Sequence, residues 1–156
     1  MKLTIALIAL LTVLATNLAS VAESVVFRKV DFYEDLGDKE EKYDARLALD
    51  PEARTIMIAD EKHGADKKVY ALIPYDNVKK IVYERSSHRR YKAGLLVTPW
   101  LLFSKGKKHW LTIEFEGVND LPLGYVYVRL HKGNYRRVLS ALSSGVGLEI
   151  EEIIED

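Results

Sequence analysis

The residues most able to do chemistry lie in the middle of the chain, where basic side chains crowd around an apolar run. Arg85, Arg89, Arg90 and Lys92 come before residues 94–103, and Lys105, Lys107 and Lys108 follow them. Glu84 is the lone acid between residues 79 and 110. Cations at this density attract carboxylates, phosphates or an anionic surface. The run between them, Gly94-Leu95-Leu96-Val97-Thr98-Pro99-Trp100-Leu101-Leu102-Phe103, reads in two ways. It is a protruding hairpin whose Trp100 enters a membrane interface, with basic flanks each worth about 1 kcal/mol against anionic headgroups. Alternatively, it is a strand covered on both faces, with Pro99 at a bend or edge and the basic clusters as solvated turns. The covered strand is the preferred reading.

Other chemistry is hard to find. The four histidines, His63, His88, His109 and His131, form neither an H-x-x-x-H pair nor an H-E-x-x-H zinc pattern. His109 and His131 stand at the ends of neighbouring expected strands, within reach of one another. The chain has no cysteine, which excludes thiol catalysis, thiolate metal sites and a lipid-modified cysteine. Ser104-Lys105-Gly106-Lys107 lacks the upstream glycine and following hydroxyl of a phosphate loop, and no G-x-S-x-G elbow is present. Acid pairs such as Glu114/Glu116 and Glu149/Glu151 alternate along strands and share a solvated face. The expectation is no enzyme, no cofactor and no metal. Tyr83, Tyr91 and Trp100 are able to stack on bases, but 23 basic residues balance 23 acidic ones, which argues against nucleic acid.

The elements that must position these residues begin after a separate leader. Met1-Lys2, then an apolar stretch over residues 3–18, then Ser20-Val21-Ala22 with small residues at the first and third places, form the pattern of a signal peptide. The stretch is short against the roughly 20 residues of a membrane span. The expectation is export to the periplasm or the extracellular space, with an uncleaved N-terminal anchor as the alternative. Residues 23–42 read as a lead-in that pairs with a sheet or serves as a linker. Residues 43–156 form the domain, of a size able to rest on its own core.

From residue 43 the dominant hydrophobic period is two. Strands are expected over 43–49, 54–60, 69–73, 78–85, 94–103, 109–116 and 125–131, with turn residues between them. The period then changes. Tyr135, Val138, Leu139 and Leu142 recur at i, i+3, i+4 and i+7, the stripe of an amphipathic helix. Asn134 caps its start and Gly145 closes its end. Leu148 and Ile150 alternate with Glu149 and Glu151 in a short last strand. Seven strands followed by one helix predict a small mostly-β barrel or sandwich whose helix covers one opening.

Three stretches carry a family resemblance: Ile73-Pro74-Tyr75-Asp76-Asn77-Val78-Lys79-Lys80-Ile81, Lys107-Lys108-His109-Trp110-Leu111-Thr112-Ile113, and Ser143-Ser144-Gly145-Val146-Gly147. In this order the chain resembles small bacterial pleckstrin-homology-like (PH-like) or GRAM-like proteins of unknown function, over residues 43–150. The resemblance implies a seven-stranded split barrel of two near-orthogonal sheets, capped by a C-terminal helix, and a habit of binding lipids or peptides. Phosphoinositide-binding relatives carry a run of basic residues on the first hairpin. Here the hairpin spanning residues 47–58 offers Arg46 and Arg54, with Asp50 and Glu52 between them.

The functional expectation is an exported, non-catalytic binding module. Its partner is a protein or cell-envelope component met by the basic segment, through Arg85, Arg89, Arg90, Lys92, Trp100, Lys105, Lys107 and Lys108. The alternative is a peripheral domain that binds anionic lipid through the Trp100 hairpin.

Overall fold

Alternation of apolar and polar residues makes most of this chain strand. The computed structural model describes residues 23–35, 40–62, 68–87, 106–117 and 123–154. The expected signal peptide at 1–22 and the expected strand at 94–103 lie outside them. The elements are β1 (Val25–Asp35), β2 (Glu40–Asp50), β3 (Thr55–Asp60), β4 (Val69–Pro74), a 3-10 helix (Tyr75–Asn77), β5 (Val78–Ser86), β6 (Lys108–Phe115), β7 (Gly124–Leu130), α1 (Tyr135–Val146) and β8 (Ile150–Ile154). They form one sheet in the order β4-β3-β2-β1-β7-β6-β5-β8. Every ladder is antiparallel except β5–β8, which is parallel.

The chain is mostly β with one α-helix among the described residues, as its periodicity requires. The number of strands differs from expectation: eight are described rather than seven. The segment read as a lead-in or linker contains β1, the strand that joins the two halves of the sheet. β1 pairs with β2 on one side and β7 on the other. Its pattern is hidden by a bulge. Phe27 and Val30 are both buried with two residues between them, and the β1–β2 register shifts there. Lys29, inside the bulge, has φ of 59°, a conformation in which a side chain crowds its own backbone. Arg28 and Lys29 therefore both face outward, and the period of two is lost for one step.

The core faces inward from the whole sheet. Leu47, Ile56, Ile58, Ile81 and Ile113 are fully buried, each worth about 1.5–3 kcal/mol of transfer free energy. Val138 and Leu142 from the helical stripe join them with no exposure, and α1 packs against β2 and the 3-10 helix. The helix ends differ from the sequence reading. Gly145 lies inside α1, and Gly147 is the left-handed cap, its φ at 78° and its N–H donating to Ser143 O at 2.9 Å. Asn134 occupies the N-cap place without capping by its side chain. Its amide instead donates to Arg28 O at 2.8 Å, tying the helix start to the β1 bulge.

Strands β5 and β6 are buried on their second face as well. Val82, Glu84, Ser86, Trp110 and Thr112 alternate with core residues and are 7% exposed or less. Glu84 accepts a hydrogen bond from Ser86 Oγ at 2.5 Å.

Candidate functional site: a basic cleft beside the β1 bulge

The pairing of β1, β7 and β6 brings distant charges together. Val30 pairs with Leu130, Asp31 with Arg129, and Leu130 with His109. The bulge places Lys29 at one side of this junction, and the turn after β7 places His131 and Lys132 beside it. The result is a cleft of about 430 Å³ lined by residues of β1, β2, β6 and β7, by Lys107 just before β6, and by the turns after β3 and β7. Its lining carries Lys29, Lys107, Lys108, Arg129 and Lys132 together with Asp31, Asp44 and Glu61. Five cations against three carboxylates give the cleft a positive balance.

Its acidic side is contiguous. Asp31 and Asp44 are paired across β1 and β2, and Glu61 N donates to Asp44 O at 3.2 Å. Asp31 is already engaged: the Arg129 guanidinium donates to its carboxylate, and Lys42 Nζ stands 3.7 Å from it. On the basic side, Lys108 Nζ lies 5.8 Å from the centre of the Trp110 ring. Burial, then the charge of Arg129, pulls its pKa below the ordinary lysine value.

The histidines are held differently. The His109 ring stacks on Tyr135 at 4.0 Å between centres, and its Nδ1 lies 2.7 Å from the Tyr83 hydroxyl. Burial and neighbouring Tyr135 push Tyr83 up to about 12, so the hydroxyl keeps its proton in this contact. Burial first, then Arg85 and His131, lower the His109 pKa below its ordinary value. His131 is exposed; its Nδ1 accepts from Gly133 N–H at 3.1 Å. The sequence reading that these two histidines approach one another agrees with their shared cleft.

Of the residues singled out in the sequence, Lys107 and Lys108 line the cleft. Arg85 lies on β5 opposite His109 in the ladder and acts on it by charge, outside the lining. Arg89, Arg90, Lys92, Trp100 and Lys105 lie outside the described residues. Lys29, Arg129 and Lys132 were missed. Arg129 and His131 are two apart on an alternating strand, which marks them as outward and adjacent. Nothing in the sequence brings Lys29 to them without the β1–β7 pairing.

The first hairpin also moves. With β1 in the sheet, it is β1–β2, and its described flanks carry Glu34, Asp35, Glu40 and Glu41 against Lys42. The basic pattern of phosphoinositide binders is absent from those flanks. Among the described residues, no group of three or more His, Asp or Glu side chains is gathered to hold a metal. None of their helices is long and apolar enough to cross a membrane.

No protein-family model matches the chain, and no curated protein matches it either. A solved structure that is similar, "Structure of the Spt16D Pob3N heterodimer", aligns with a TM-score of 0.47 at 10% identity. The alignment covers 86% of this chain and 57% of that one.

Proposed function

We propose that this chain is an exported, non-catalytic binding module of PH-like architecture, and that the cleft beside the β1 bulge receives an acidic partner, a protein or a cell-envelope component. The architecture is argued from strand order: a meander of β1 to β4, a meander of β5 to β7, β1 pairing with β7, then a helix. Export is argued from the charged, apolar and small-residue pattern of residues 1–22. The observation that carries the binding function is convergence. Lys29, Lys107, Arg129 and Lys132 come from three separate stretches of chain and line one concave site. Cations grouped in one concave site favour an anionic ligand and speed its encounter.

Nuclear magnetic resonance shift mapping with a pentaglutamate peptide tests this reading. Shifts are expected at the amides of residues 29–31, 107–109 and 129–132, and are expected to weaken as salt rises through a Debye length of about 10 Å at 0.1 M. Lys29→Gly removes one cleft cation while relieving the left-handed backbone, so binding should weaken several-fold without loss of stability. Shifts confined to other surfaces, or none at all, would refute the cleft. Binding to anionic liposomes that leaves the cleft amides unmoved would favour the lipid alternative.

A further inference from the structure

We propose that the paired rings of Tyr43 and Tyr70 are a receptor for an ammonium group, the side-chain amine of a lysine on another protein, and that Lys68 occupies it until that lysine arrives. Asp44 and Glu61 border both this site and the basic cleft. Its chemistry is the reverse of the cleft's, and it stands whether or not the cleft binds an anion.

Register sets the rings on the core face of the sheet. Tyr43 pairs with Phe32, which is buried in the core. The Tyr70 ring stacks on Phe32 at 4.8 Å and meets Tyr43 at 5.2 Å, so it shares that face. Phe32 is covered, but both tyrosines are only partly buried. A hollow of about 380 Å³ opens against them.

Lys68 shows what the rings accept. Its Nζ lies 5.3 Å from the centre of the Tyr43 ring and 5.1 Å from that of Tyr70. At that range a ring face attracts a cation. Lys68 O accepts from Asp60 N–H at 2.9 Å, which fixes the root of the side chain. The residue is itself exposed, so its ammonium reaches the rings from the solvent side, the path that an external amine would take.

Carboxylates surround the pair. Glu34 and Glu41 are partners across β1 and β2, two residues from Phe32 and Tyr43 and hence on the same face. Asp60 pairs with the core residue Ala45 and shares it too. Tyr43 donates its hydroxyl proton to Glu41 Oε2 at 2.5 Å, which pushes electron density into the ring and strengthens its hold on a cation. The negative field reaches the second ring: burial first, then the charges of Asp60, Glu34 and Asp44, raises the Tyr70 pKa. Of the lysines that border the hollow, Lys42 stands 3.7 Å from both Asp31 and Asp44, and Lys62 is exposed at the rim.

This mixture selects a primary amine. Carboxylate oxygens accept hydrogen bonds, and a lysine ammonium has three to give, whereas a quaternary ammonium has none. An internal occupant lowers the apparent affinity for an external one by the fraction of time that the site stands open. Removing Lys68 should therefore tighten binding.

Nuclear magnetic resonance shift mapping of the full chain with a blocked lysine, its α-amine acetylated and its carboxyl amidated, tests the site against sodium chloride of equal ionic strength. The blocked lysine is expected to move the amides of Tyr43, Asp60, Lys68 and Tyr70 saturably, and sodium is not. Lys68→Ala should tighten binding about fivefold. Lys79→Ala, which removes the same charge from β5 outside the hollow, should leave it unchanged. Tyr70→Leu should abolish it, and if that variant does not fold, Lys68→Ala at its exposed position still decides. Equal shifts with sodium overturn the site, and no tightening in Lys68→Ala overturns the internal occupant. Tighter binding of tetramethylammonium than of the blocked lysine overturns the primary amine. Pentaglutamate shifts at the cleft with none from the blocked lysine overturn this site and leave the cleft standing.

Discussion

His109 shows how one side chain couples the fold to its surroundings. It joins three elements: β6 by its backbone, β5 through Tyr83, and the first turn of α1 through Tyr135. These contacts hold a neutral imidazole, and its folded pKa lies below the ordinary value. The unfolded chain takes up this proton near pH 6.5, roughly the free value. Between the unfolded and folded pKa values the unfolded state binds more protons, so acid favours unfolding there. Stability from this group is present above about pH 6.5 and is lost as pH falls through the folded pKa. Urea midpoints measured across that interval should fall with acidification. His109→Gln should be less stable throughout, because it loses the ring stack, but its midpoint should depend less on pH. An equally steep dependence in the variant would place the titrating group elsewhere.

At the scale of elements, the β6–β7 pair depends on one missing side chain. Gly124 pairs with Phe115, and a Cβ placed on it meets the Phe115 ring at 2.5 Å. Gly124→Ala should cost about 1–3 kcal/mol in chemical denaturation, and Phe115→Leu in the same chain should recover part of it by vacating the ring's space. No recovery would mean that the strain lies in the backbone. The legibility of elements follows their regularity. β6 and β7 alternate cleanly through Leu111, Ile113, Val126 and Val128, and α1 shows its stripe at Tyr135, Val138 and Leu142, so these were readable. β1 was not read as a fixed strand because its bulge spends two residues, Arg28 and Lys29, where alternation allows one. The helix stop was misplaced by two residues because Gly145 and Gly147 are both candidates, and only the backbone shows which adopts positive φ. The cleft was half readable: Lys107 and Lys108 stood out as a basic pair, whereas Lys29 and Arg129 are neighbours only through a pairing that local pattern does not encode.

For the whole molecule, neutrality conceals segregation. Equal numbers of acids and bases are distributed so that the junction of β1, β6 and β7 is basic, while β8 exposes Glu151 and Glu152 on an edge. Charge on an edge strand discourages pairing with another sheet, and Lys80 holds Glu151 at 2.7 Å across the parallel ladder. At the opposite edge β4 exposes Val69 and Leu72 by about half of their surface and closes with Pro74. The sheet between these edges is joined by a contact between chain regions far apart in sequence. Val30 pairs with Leu130, and Phe32 with Val128. β1 can form its hairpin with β2 early, but its other side stays bare until nearly all the remaining chain has been made or has collapsed. Closing so long a loop carries its entropic cost before the contact returns anything. Refolding followed by tryptophan fluorescence should therefore take milliseconds to seconds rather than microseconds, and a microsecond phase accounting for the full amplitude would mean that β1–β7 pairing is not what limits the rate. During that delay Phe32 and Val30 present an apolar strand edge to any other chain nearby, so the completeness of refolding should fall with protein concentration even where the native state is stable.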